Sequence, residues 1–171
     1  MDQNSQTLLP NKYHVVPRTL VFVTYNDEVL LIKGAPDKKI WPGLFIGIGG
    51  HIEKGEDILT SAKRELLEET ALKDVTLKLK ATIMIDVNDD QGIGLYVFLG
   101  KSNTRQVQNS AEGKLEWVKL DRISEYYLVE DLYTLIPLLF DKTINFLYGR
   151  YYYKNKKLVM EFFPDYSSDG F

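Results

Sequence analysis

The chain has 171 residues, a formal net charge of −3 at pH 7, 44% hydrophobic residues and no cysteine. That length and apolar content suit one compact domain with a core of its own, and the charge balance offers no basic footprint for duplex nucleic acid. Without cysteine, disulfide frameworks and thiolate metal sites are excluded.

The N-terminal stretch MDQNSQTLLPNKYHVVP lacks the basic start and apolar run of a signal peptide, and no later run is long and apolar enough to span a bilayer. A soluble, cytoplasmic chain without a membrane partner is expected, and nothing in the sequence fixes an oligomeric state. Residues 1–12 are polar and read as a flexible N-terminal segment. A single domain is expected over 13–164, then a flexible tail over 165–171. From Arg18, TLVFVTYNDEVLLIKG gives two β-rich runs split by Asn26, Asp27 and Glu28, a hairpin whose turn carries no glycine. GAPDKKIWPGLFIGIGG, dense in Gly and Pro, reads as a long loop with a short extended exit, and loops of this kind carry substrate contacts.

A helix is expected to begin at Asp57 or Ile58, with Asp57 capping its first amides, and to end at Thr70 and Ala71. Beyond it, VTLKLKATIMID and GLYVFLG read as strands, residues 101–111 as a polar loop and LEWVKL as a short strand. Val129 to Phe140 reads as a second helix that Pro137 should kink or divide, because proline removes a backbone donor and crowds the preceding turn. FLYGRYYYKNKKLVMEFF reads as a closing hairpin turning at Lys154 and Asn155. With no repeat and no linker, the simplest architecture is α/β, one mixed sheet flanked by helices.

Chemistry concentrates in the first helix. Residues three and four apart are helix neighbours, so Glu65, Glu68 and Glu69 project from one side while Leu59, Ala62 and Leu66 line an apolar stripe. Three crowded carboxylates repel unless a cation sits among them, and hard divalent ions, Mg²⁺ above all, take such oxygen ligands. The alternative is a solvated acidic face paired with Lys63 and Arg64. The upstream glycine pair, Gly49 and Gly50, favours the metal.

The stretch from Gly50 to Leu72 resembles the box of the Nudix hydrolases, G-x5-E-x7-R-E-U-x-E-E-x-G-U with U a bulky aliphatic. Gly50, Glu56, Arg64, Glu65, Leu66, Glu68, Glu69 and Leu72 stand at its fixed positions, and Ala71 replaces the last glycine. The resemblance implies an α/β/α sandwich with a mixed sheet between helices, and hydrolysis of a nucleoside diphosphate linkage. The cofactor it implies is Mg²⁺, with Mn²⁺ as the alternative. Glu65, Glu68 and Glu69 are then the expected metal ligands together with the carbonyl of Gly49, and Arg64 orients a glutamate. Glu56 supports the loop, and Glu68 or Glu69 serves as general base. A distal acid, Glu112 ahead of Trp117, either completes the metal site or is an exposed loop carboxylate.

Outside the box, the span from Arg18 to Pro164 is similar to the MutT-like nucleoside triphosphatases of this family, in particular their oxidised-purine branch. That likeness lies in TLVFVT, VLLIK, EDLYTLIPLLF and FLYGRYYY. It implies a small nucleotide as the binding partner, with Glu130 and Asp131 reading the base edge unless they are simply helix N-terminal acids. Thr19 and Lys33 match further pocket positions. Ile46 stands where that branch has a base-contacting asparagine, and Leu128 where it has a stacking tryptophan; Trp41, Tyr126 or Tyr127 is the available stacking face instead. The expected reaction is cleavage of a nucleoside triphosphate, such as 8-oxo-dGTP, to monophosphate and pyrophosphate. The alternatives are another nucleoside diphosphate derivative such as a nucleotide sugar, or a non-catalytic nucleotide-sensing domain.

Overall fold

The computed structural model describes residues 11–37 and 40–166. Eight strands form one mixed sheet: β1 His14–Tyr25, β2 Glu28–Gly34, β3 Phe45–Ile46, β4 Thr76–Asp86, β5 Gln91–Lys101, β6 Gly113–Lys119, β7 Ile144–Lys154 and β8 Lys157–Tyr166. Helix α1 spans Ile58–Thr70 and α2 spans Leu132–Phe140, with a 3₁₀ segment at Leu120–Glu125. The sheet runs β3-β2-β1-β5-β4-β7-β8, with β6 paired to β2. β1 lies parallel to β5 and β4 parallel to β7, and the other pairings are antiparallel.

Val21, Phe22 and Val23 on β1 are all fully buried, as a strand covered on both faces requires. Their alternation divides the core. Val21 and Val23 join Leu30, Ile32, Ala62 and Leu66 under α1, whereas Phe22 joins Leu31, Ile83, Leu135, Ile136 and Leu139 under α2. The result is the expected α/β/α sandwich. Among the described residues, no helix is long and apolar enough to cross a membrane.

Several boundaries differ from expectation, each for a physical reason. α2 begins at Leu132 rather than Val129, because Tyr127 to Val129 are engaged with β3: the Phe45 amide donates to the Tyr127 carbonyl at 2.8 Å and the Val129 amide to the Phe45 carbonyl at 3.1 Å. Pro137 does not divide α2, which continues to Phe140. Proline costs the helix its bond to Tyr133, but both residues are exposed, so water can reach the carbonyl left over. The last hairpin turns at Asn155 and Lys156, one residue later than expected; both have positive φ, 52° and 63°, the type I′ arrangement that matches strand twist. β8 continues through Asp165 and Tyr166, which pair with Phe146 and Ile144, so the domain reaches past 164. The expectations for residues 1–10 and 167–171 lie outside the described residues. Leu59, placed on the apolar stripe, is 37% exposed, while Ser61 and Thr70 are buried on α1.

Candidate active site

The site is built where the segment after β3 is strapped along β1. The Val21 amide donates to the Ile48 carbonyl, the Thr19 amide to Gly50 and the Ile52 amide to Pro17, at 2.6, 2.9 and 3.2 Å. Two glycines permit this approach. A Cβ at Gly49 would fall 2.2 Å from the Thr19 carbonyl oxygen, and one at Gly50 would fall 2.5 Å from a Glu65 carboxylate oxygen. Gly49 also has φ of 149°, a conformation that disfavours other residues.

After this strap, Asp57 caps α1 by accepting from the Leu59 and Thr60 amides at 2.8 and 3.0 Å. The helix then presents Arg64, around which the site closes. Arg64 Nε and Nη2 donate to the two oxygens of Glu56 at 2.7 and 2.9 Å. Its Nη1 donates to Glu65 at 2.8 Å and to Glu68 at 3.2 Å, and Nη2 also reaches the His51 carbonyl at 3.1 Å. One guanidinium thus ties the loop to the helix. Hydrogen bonds from Arg64, with one from the Glu53 amide, hold the Glu56 carboxyl down to about 2; Glu56 and Glu65 in turn push Arg64 up.

Glu69 is 8% exposed and accepts from the Gly49 amide at 3.3 Å. It faces a cleft of about 370 Å³ that also contains Arg18, Ile32, Ile46, Trp41 and Glu112. Three carboxylates, Glu56, Glu65 and Glu68, therefore gather on one guanidinium, and Glu69 next along the helix turns to Gly49, an excess of negative charge that suits a divalent cation with oxygen ligands. Among the described residues no three acidic or imidazole side chains close on one point. Glu65 and Glu68 are turned onto Arg64, and the Glu68 side chain, 59% exposed, is the freest to move.

The NUDIX domain family matches residues 15–139. The chain belongs to the Nudix family. It is 33% identical to the oxidized purine nucleoside triphosphate hydrolase of Mus musculus over 125 residues, covering 72% of this chain and 79% of that enzyme. The Danio rerio protein of the same name is 29% identical over 125 residues with the same coverage. Among solved structures, the mutator MutT protein from Bacillus halodurans is similar with a TM-score of 0.71 and 26% identity, over 88% of this chain and 98% of that one. This is a MutT-like Nudix hydrolase, an enzyme of phosphoric anhydride bonds.

Of the residues predicted for this Nudix site, the cleft brings together Gly49, Glu69, Glu112, Trp41 and Ile46. Trp41 is 47% exposed and holds φ of 54°, unusual for a bulky residue. Its carbonyl accepts from the Leu44 amide at 3.2 Å. Other predicted residues do not line the cleft. Leu128 is 4% exposed and bridged to Phe45, so it packs rather than stacks on a ligand. Thr19 is 2% exposed with its hydroxyl lacking a partner among the described residues. Lys33 extends over the Phe45 ring, 5.5 Å from its centroid. Glu130 is exposed, and Asp131 lies close to Tyr151, where burial pushes its carboxyl up to about 6. Burial and that carboxyl push the Tyr151 hydroxyl up in turn, and no group stands in hydrogen-bonding geometry to it among the described residues.

Sequence reasoning missed Arg18 and His51. Arg18 reaches the cleft from β1, and its Nε and Nη2 lie 3.1 and 2.7 Å from His51 Nε2. Only the place of His51, just after the glycine pair, hinted at a role.

Proposed function

We propose that this Nudix hydrolase is a Mg²⁺-dependent nucleoside triphosphate pyrophosphohydrolase, producing monophosphate and pyrophosphate, with an oxidised purine such as 8-oxo-dGTP as candidate substrate. The observation that carries the reading is Arg64 tying Glu56, Glu65 and Glu68 into one unit beside Glu69, which faces the cleft with Gly49. The substrate class is supported by the name of the mouse and zebrafish relatives.

Glu65, Glu68 and Glu69, with the Gly49 carbonyl and Glu112, are the groups that would hold Mg²⁺ or Mn²⁺. A bound ion supplies charge neutralisation at the phosphates and a more acidic water. Arg64 sets the carboxylates in place, and Glu68, held through one oxygen at 3.2 Å, keeps its other oxygen to offer as a ligand. The water oxygen bonds to phosphorus while the anhydride P–O bond breaks and its electron pair stays on the departing phosphate oxygen. The water's proton passes to Glu68 or Glu69. Trp41 offers the base a face to stack on.

A second reading has one observation in its favour. Ile32, Ile40 and Ile46 line the cleft with side chains that cannot hydrogen-bond a base, so this wall does not single out an oxidised purine, which leaves room for another nucleoside diphosphate derivative such as a nucleotide sugar. Pyrophosphate release should be screened with Mg²⁺ across ordinary and oxidised nucleoside triphosphates, nucleotide sugars and ADP-ribose. The triphosphates are expected to turn over fastest, and preference for a nucleotide sugar would overturn the first reading. Glu69→Gln is expected to lower kcat by at least about a hundredfold with the fold intact. Undiminished turnover in that variant would remove Glu69 from the chemistry.

A further inference from the structure

The cleft presents Glu69 and Glu112 to an incoming polyphosphate, and Arg18 is the one cation among its described lining residues. Arg18 takes part in none of the ion pairs of the described residues. Its partner there is the His51 ring alone. Because a guanidinium can only donate, His51 Nε2 accepts both contacts, which leaves the imidazole proton on Nδ1. Nε and Nη2 are thereby oriented, and the two donors of Nη1 with the second donor of Nη2 form the fork that faces a ligand.

The backbone fixes this arrangement. Arg18 and His51 face each other across an antiparallel bridge, between the Thr19–Gly50 and Ile52–Pro17 hydrogen bonds. The His51 carbonyl meanwhile accepts from Arg64 Nη2 at 3.1 Å and from the Ser61 hydroxyl at 3.3 Å. His51 therefore joins two arginines: its main chain sits on the one that organises the box glutamates, and its ring steadies the one that faces the cleft. Planar guanidinium forks match phosphate oxygens two at a time, and such charge-assisted bonds are about twice as strong as neutral ones.

We propose that Arg18, seated on His51, binds the pyrophosphate portion of the substrate, opposite in charge to the carboxylates that hold the cation. The inference rests on the reading of this cleft as a polyphosphate site. It assigns Arg18 to substrate binding and His51 to positioning, with Trp41 left for the other end of the ligand.

Binding of inorganic pyrophosphate with Mg²⁺ should be measured by calorimetry on the full chain and on Arg18→Ala, Arg18→Lys and Arg18→Gln, each checked by thermal melting. Arg18→Ala and Arg18→Gln are expected to weaken pyrophosphate binding by about tenfold or more, and Arg18→Lys by less, because it keeps charge but loses the fork. In hydrolysis, KM for a nucleoside triphosphate should rise more than kcat falls. The inference is overturned if folded Arg18→Gln binds pyrophosphate within twofold of wild type, or if the wild type does not bind it. Arg18-dependent pyrophosphate binding without hydrolysis of any triphosphate would sink the proposed substrate and leave the Arg18 assignment standing.

Discussion

Asp131 shows how burial can make one side chain a pH-dependent element. Its carboxyl is pushed up to about 6 from an ordinary 3.8, chiefly because it is removed from water. As pH rises from 3.8 to 6, the unfolded chain ionises this group while the folded chain keeps it neutral. Stability therefore falls across that window and levels off above it. Asp131→Asn removes the effect, so the variant's advantage over wild type should be greater at pH 7.5 than at pH 4 by about 2–3 kcal/mol. Urea denaturation at both pH values measures the difference, and an equal advantage at both would count against the assignment. The box glutamates were legible in the sequence because they crowd one helical face at fixed spacing. Arg18 was not, since its partner stands 33 residues away and no periodicity links them.

At the scale of the element, α1 was legible at both ends for reasons that belong to its own residues. Asp57 caps it as expected, and Ala71 ends it in the left-handed region at φ 59° and ψ 11°, its amide donating to the Leu67 carbonyl. A β-carbon in that conformation costs about 1 kcal/mol. Ala71→Gly, which restores the usual box residue, should raise the free energy of unfolding by about 1 kcal/mol with kcat unchanged. Chemical denaturation and a parallel activity assay check both halves, and a destabilised variant would refute the account. The start of α2 was not legible. Tyr127 to Val129 have helix-compatible sequence, but Phe45 claims their backbone, and that partner is visible only in three dimensions. Pro137 likewise read as a break because sequence alone does not say which helix face meets water.

For the whole molecule, the mixed sheet between helices followed from alternating strands and the absence of a linker, whereas the strand order did not. The parallel pairing of β1 with β5 joins His14 to Gln91, and local pattern carries no information about contacts over such a separation. The two cores on either side of the sheet share β1 and β2, so loosening one is transmitted to the strands that carry the site. Leu135 is fully buried in the α2 core. Leu135→Ala should cost about 2–5 kcal/mol and lower Tm in a single cooperative transition. A loss below about 1 kcal/mol in calorimetry would count against the packing of Leu135, and two separate transitions would mean that the two sides of the sheet are not coupled.

The extension of β8 to Tyr166 also bears on how copies of the chain behave towards one another. Its outer side is a sheet margin ten residues long, the sort of edge on which a second molecule could add a strand. Lys157, Glu161 and Asp165 interrupt that margin with charge, and Pro164 has no amide to offer. At the opposite margin β6, seven residues long and paired to β2, carries Lys114, Glu116 and Lys119. Both borders of the sheet are thus poor starting points for strand-to-strand polymerisation, which favours colloidal stability in a crowded solution.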